Sequence, residues 1–284
     1  MFDANQYLEK IREMEHGSAR LDAIADAIRE ADSASAHSWR IYFRYHFIKE
    51  SVFHDDCFKA IIRFPELLQI YDEHPELQDD YEDDVMIAFK WVLENSFDFY
   101  QISKNEIEKY FEEFKKRCQK CGVSLRVYHM KRTKYLLKVD MEEAQREYNL
   151  FHDSSHRNDR FSDCLACERN FDMYVALELN DENKALAIAQ PILRGDIRCA
   201  EIPHCTYAHL CDYYLYHDMY QNTAYAGCVY VDYANATDYS QRGVELSFAQ
   251  KIDDSWSYDV GYAYIILIHF KSSILSNSFK SFAR

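Results

Sequence analysis

A four-position pattern, repeated along the chain, constrains its fold more than any other feature. Asp56, Ala60, Phe64 and Leu67 stand at offsets 0, 4, 8 and 11, and the same offsets recur at Asp140, Ala144, Tyr148, Phe151 and at Asp181, Ala185, Ala189, Ile192. The first and second of these begin 84 residues apart and the second and third 41. Since 84 is close to twice 41, another copy belongs midway, and Ser103, Ile107, Phe111, Phe114 supplies it. Tyr220, Ala224, Cys228, Val231 makes a degenerate fifth. Self-similarity at such a period marks stacked supersecondary units, each burying its apolar face on its neighbours.

Each position has a physical task. Asp or Ser accepts from the free amides of a helix start, a small residue one turn later lets another helix approach, and the larger residues fill the groove between helices. These are the second helices of hairpins, starting near 56, 103, 140, 181 and 220. Ser103-Lys-Asn-Glu106 is also a capping box, followed by Ile107, Tyr110, Phe111, Phe114, Cys118 and Cys121 on one face and closed by Gly122. The 3.6-residue periodicity puts first helices at Trp39–His46, Tyr81–Val92 and about 124–137, 164–179 and 204–217, with an N-terminal pair near 4–14 and 18–32 and a last pair after about 243. Pro65 should kink the helix that starts at 56 or begin a new one, while Pro75 and Pro203 suit connections. The run Tyr262–Ile268 is prone to form a strand, but its setting predicts a buried terminal helix.

The expected fold is therefore all-α, a right-handed α-solenoid of antiparallel hairpins forming one repeat domain over 1–284, with degenerate last hairpins after about 220. Six glycines and four prolines in 284 residues leave too few turns for an all-β fold, and no two glycines are closer than sixteen residues. Phosphate-binding glycine loops and the nucleophile elbow of hydrolases are thereby excluded. The net charge of −15 opposes nucleic acid and anionic membrane as partners. No apolar run is long enough to cross a bilayer and the start lacks a secretion signal, so a cytoplasmic protein is expected. No helix-turn-helix module precedes residue 1, which disfavours a direct transcription factor.

Nine cysteines in such a chain point to reduced thiols or a metal more than to disulfides. There are two C-x-x-C pairs. Cys118 and Cys121 continue the apolar stripe of their helix and read as small buried hydrophobes. Cys164 and Cys167 differ: helices over about 164–179 and 182–194 form a hairpin that returns the chain, so the loop from Gly195 to Pro203 ends beside Cys164. Cys199 and His204 then join Cys164 and Cys167 at one edge. Three sulfurs and an imidazole suit a structural tetrahedral zinc pinning the loop. The alternative is a helical edge of core cysteines with Pro203-His204 simply opening the next helix; Cys205 can stand in for His204. A thiol-redox role is open to Cys164-Leu-Ala-Cys167 at a helix start, without the βαβ setting of thioredoxin-like proteins. His152, Asp153 and His156 read as a solvated loop. Tyr213, Tyr216 and Tyr220 share a helix side that would suit a concave groove or ordinary packing.

The turn Leu177-Glu-Leu-Asn-Asp181 and the step to Ala185 resemble the middle of a tetratricopeptide repeat, without the tryptophan and glycine of that repeat's first helix. Ser162-Asp-Cys-Leu-Ala-Cys-Glu168, Lys184-Ala-Leu-Ala-Ile-Ala-Gln-Pro-Ile-Leu-Arg-Gly195 and Cys199-Ala-Glu-Ile-Pro-His-Cys-Thr-Tyr207 resemble a group of uncharacterised bacterial tetratricopeptide-like proteins. The resemblance implies an α-solenoid and no established activity. The function expected is a non-catalytic scaffold for a protein or peptide partner, the alternative a metal-binding or thiol-redox protein centred on Cys164, Cys167, Cys199 and His204.

Overall fold

Four helices begin where the repeated pattern puts them. The computed structural model describes residues 2–154, 159–217, 228–234, 240–253 and 256–266, the last three stretches by backbone. They group into two compact units, residues 1–163 and 164–284.

The first unit contains α1 (Ala4–Glu13), α2 (Ser18–Ser33), α3 (His37–His54), α4 (Cys57–Glu73), α5 (Gln78–Ser96), α6 (Lys104–Lys120), α7 (Arg126–Leu136) and α8 (Met141–Asp153). A short 3-10 turn at Pro75–Leu77 joins α4 to α5. Asp56 caps α4 by accepting from the Phe58 amide, Ser103 and Glu106 close a reciprocal capping box on α6, and Asp140 accepts from the amides of Glu142 and Glu143. One turn on, Ala60 and Ala144 are completely buried, as are Phe64, Leu67, Phe114 and Phe151 further along. Each helix packs on the next in sequence, and α3 also touches α5, and α5 touches α7. An aromatic seam runs through this core: Phe64 lies 4.8 Å from Phe89, Phe89 5.1 Å from Phe114, and Phe111 5.5 Å from Tyr135.

Of the two outcomes expected at Pro65, a new helix does not begin after Phe64: α4 runs from Cys57 to Glu73 with the proline inside. A proline in a helix interior costs about 3 kcal/mol. Phe64, Leu67 and Ile70 are buried on either side of it, and burying each large side chain contributes about 1.5–3 kcal/mol. The second turn of burial outweighs the lost backbone bond.

The second unit opens with α9 (Leu165–Glu178), α10 (Glu182–Leu193) and α11 (His204–Tyr216). Asp181 caps α10 by accepting from the Lys184 amide at 3.0 Å. Asn180, with φ 57°, makes the left-handed turn that ends α9, and the Asp181 amide returns to the Ala176 carbonyl at 2.9 Å. α9 packs on both α10 and α11.

Through Tyr216 the described residues carry helices and no strands, in accord with an all-α class. Beyond it a correction is needed, because the expected C-terminal hairpins are replaced by strands β1 (Cys228–Ala234), β2 (Ser240–Asp253) and β3 (Trp256–Ile266). They pair antiparallel in the order β1-β2-β3, with Val231 opposite Gly243 and Ser247 opposite Gly261. The run from Tyr262 thus enters β3 rather than a helix, and Cys228 and Val231 of the fifth pattern copy stand in β1; Tyr220 and Ala224 lie outside the described residues. The local reason is period-two alternation: Val244, Leu246 and Phe248, and Tyr258, Val260, Tyr262 and Tyr264, are β-branched, aromatic or apolar at every second position. No described helix is long and apolar enough to cross a membrane.

Candidate functional site

Cys164 is the residue just before α9, and Cys167 lies in its first turn. The chain leaves along α9, returns along α10, and is held in that hairpin by Arg169, whose Nε donates to the Ile188 carbonyl at 2.8 Å. Small Ala185 and Ala189, both fully buried with Met173 and Leu177, set the close approach. Gly195, at φ 79°, turns the chain into the loop 194–203, where the Asp196 and Ile197 amides donate to the Pro191 carbonyl and the Cys199 amide to that of Ile202.

This path brings three of the four expected ligands together. Cys164 Sγ is 3.6 Å from Cys167 Sγ, Cys167 Sγ is 3.6 Å from Cys199 Sγ, and all three lie within 4.8 Å of one another. His204, the first residue of α11, is not in that group of mutually close donors. Cys205 packs with Cys167 and Cys199 against the buried trio Ala166, Ile192 and Ile202. Burial disfavours ionising Cys164, but the amides of Cys167 and Ala166 at the helix start and the adjacent thiols of Cys167 and Cys199 outweigh it and lower its pKa. Burial, then the neighbouring Cys164 and Cys199, raise Cys167. Of the pair, Cys164 is the thiol whose ionisation the surroundings favour and Cys167 the one whose ionisation they oppose.

Cys118 is fully buried in α6 and burial pushes its thiol up to about 12; burial and the Glu82 carboxylate take Cys121 to about 11. Cys57, Cys118, Cys121, Cys164, Cys167 and Cys199 are free thiols, while Cys211 is disulfide-bonded, so the expectation of reduced thiols holds for those six and not for Cys211. His152 and Asp153 are exposed at the end of α8, and His156 lies outside the described residues. Tyr213 packs against the α9–α10 core and Tyr216 is 86% exposed; Tyr220 lies outside the described residues.

Two polar clusters were missed by sequence reading. In the first, Lys131 of α7 is only 2% exposed and donates to Glu94 of α5 at 2.5 Å, with Asp163 at 3.3 Å; Lys134 also donates to Glu94, and Lys90 to Asp163 at 2.7 Å. Burial opposes the charges of Glu94, Asp163 and Lys131, but Lys131 and Lys134 hold Glu94 far below the carboxylate range, and Asp163 and Glu94 hold Lys131 above that of lysine. Neither exchanges protons near neutrality, so the network ties α5 to α7 and is unsuited to acid–base chemistry. Its signal was a lysine on the apolar stripe Val127, Met130, Leu136.

In the second, Glu50 of α3, 4% exposed, accepts from His16 Nδ1 at 2.9 Å and the Gly17 amide at 2.8 Å, and the rings of His16 and His54 stack at 3.7 Å. Two imidazoles and a carboxylate are zinc-type donors. Here, however, Arg20 Nε stands 3.5 Å from Glu50, and the carboxylate is already occupied in capping α2. The signal was Glu50 and His54 four residues apart on one helix.

A half-exposed aromatic seam joins α3 to α5. Ser38 and Tyr81 share a hydrogen bond at 2.9 Å, Tyr45 stacks on Trp91 at 6.0 Å, and Phe53, 43% exposed, meets Trp91 edge-on at 5.0 Å. Burial and the Asp84 carboxylate push the Tyr45 hydroxyl up to about 12. No protein-family model, curated protein or solved structure matches the chain. What it does is therefore argued from its own residues.

Proposed function

We propose that the chain is a non-catalytic helical-repeat scaffold, a right-handed α-solenoid of the tetratricopeptide type, which holds a protein or peptide partner on the face of its odd-numbered helices. The observation that carries this reading is the contact order of residues 1–163, in which neighbouring helices pair while α3, α5 and α7 also touch in succession. Hairpins stacked side by side produce that order. The α3–α5 seam supplies the partner surface: Tyr45, Phe53 and Trp91 offer flat apolar area at low entropic cost, and Tyr hydroxyls offer polar contacts at the rim. With the Asp84 carboxylate acting on Tyr45 and a net charge of −15, the partner segment is basic with apolar anchors.

The test is selection of a displayed random-peptide library on the immobilised full-length protein. Enriched peptides should be basic and aromatic or aliphatic, should weaken with salt, and should lose at least tenfold in affinity for a Tyr45→Ala, Trp91→Ala variant. Absence of enrichment, or binding indifferent to both substitutions, would sink the reading.

A further inference from the structure

We propose that Cys164, Cys167 and Cys199 bind a single zinc ion that fastens the 194–203 loop to the start of α9. This site is independent of the scaffold reading and of the α3–α5 seam. Tetrahedral zinc with Zn–S bonds near 2.3 Å sets its sulfurs ~3.8 Å apart. The two measured separations are 3.6 Å, and the third pair is within 4.8 Å. A disulfide needs ~2.0 Å, and all three thiols are free. The spacing matches three ligands of one soft ion and does not match a covalent pair with a bystander.

The loop also needs the anchor. Of residues 194–203 only Ile202 is buried, against Ala166 and Ile192, while Arg194, Asp196, Arg198 and Glu201 are exposed. Ile202, with the partly buried Ile197 and Cys199 beside it, is a slight apolar hold for ten residues, and a metal–thiolate cross-link from Cys199 to α9 adds to it. Thiolate donors select zinc over magnesium or calcium, which prefer oxygen. Binding replaces the thiol protons by zinc and releases them to solvent, so uptake weakens in acid. The fourth corner falls to water or, after a side-chain rotation, to His204, which opens α11 one residue beyond Pro203.

The experiment uses the full-length protein, purified reduced and without chelator, with metal content measured by mass spectrometry and the metal-free form titrated with cobalt(II). The expected result is about one zinc per chain, and in the cobalt form a sulfur-to-cobalt charge-transfer band with intense tetrahedral ligand-field absorption that zinc abolishes. Cys199→Ser should lose both signals while Cys57→Ser keeps them. Removing zinc should speed tryptic cleavage at Arg194 and Arg198 at least tenfold. Metal-free protein showing no charge-transfer band with cobalt, or zinc retained in a Cys164→Ser, Cys199→Ser variant, would overturn the proposal. The wild-type cobalt titration decides the matter even if a cysteine variant fails to fold. Loss of the band's intensity in His204→Ala identifies the fourth ligand; an unchanged spectrum leaves the three-cysteine site with water.

Discussion

Lys131 Nζ lies 2.5 Å from Glu94 Oε2, on a side chain that is only 3% exposed, with two more cations and a second carboxylate around it. Removing one member of a buried ion pair strands its partner and costs about 3–5 kcal/mol. The three lysines and two carboxylates here make the two possible deletions unequal. Glu94→Gln leaves three ammoniums against Asp163 alone, whereas Lys131→Met leaves two pairs, Lys134 with Glu94 and Lys90 with Asp163. Urea denaturation should show Glu94→Gln to be the more damaging; the opposite order would mean that packing around Lys131 matters more than its charge.

The same network shapes stability against pH. Glu94 and Asp163 have folded pKa values below their unfolded ones, so their contribution is present above about pH 4 and is lost as pH falls through the depressed folded values. Lys131 is raised, so its contribution is present below about pH 10.4 and is lost only as pH climbs through the raised folded value. Glu94→Gln should flatten the acid limb of a plot of unfolding free energy against pH and, because Glu94 also helps to hold Lys131 up, bring the alkaline loss of stability to lower pH.

His46 adds a separate step nearer neutrality. Burial first, and then Lys49 and Arg20, lower its pKa to about 4. Between about 6.5 and 4 the unfolded chain takes up a proton that the folded one refuses, so stability falls as the pH is lowered through that window. The imidazole resonances of His46 should stay unprotonated at pH 5.5 by NMR, and His46→Phe should remove this part of the pH dependence. A His46 titrating near 6.5 would contradict the buried placement.

Pro65 is exposed and sits inside α4. Replacing it by alanine restores an amide to the helix without losing buried area. Pro65→Ala should therefore stabilise the protein by about 1–3 kcal/mol, read as a higher urea midpoint at an unchanged slope.

The caps can be removed one at a time. Ser103→Ala, Asp140→Ala and Asp181→Ala should each cost about 1 kcal/mol, or roughly 2–4 °C in Tm for units of this size. By calorimetry, Ser103→Ala and Asp140→Ala should shift one transition and Asp181→Ala another, since they belong to the units 1–163 and 164–284. A single transition moved equally by all three would show that the two units unfold together.

Most of the helical architecture was legible before any coordinates. Asp56, Ser103, Asp140 and Asp181 all cap helices, because capping is a local bond between a side chain and amides two or three residues away. The fifth copy fails at Cys228 and Val231, which stand in β1, in a stretch where period-two alternation of β-branched and aromatic residues competes with the helical offsets. The thiol site was half legible: hairpin return places Cys199 near Cys164, but whether His204 reaches the same point depends on how the loop closes at Ile202 and Pro203. The Lys131–Glu94 network was illegible, since its members are 37 residues apart and a lysine on an apolar stripe carries no indication of its partner.

By itself, the sequence determined where helices start and stop, which faces they bury and which cysteines share a hairpin edge, because those outcomes rest on periodicity and bonds within a few residues. Only the tertiary structure decided that Pro65 stays in its helix, that 228–266 pairs as strands, that Glu50 is taken by the cap of α2, and that three sulfurs converge without the imidazole. Each of these is a competition between local preference and contacts from distant segments, and only the folded chain brings both sides of that competition together.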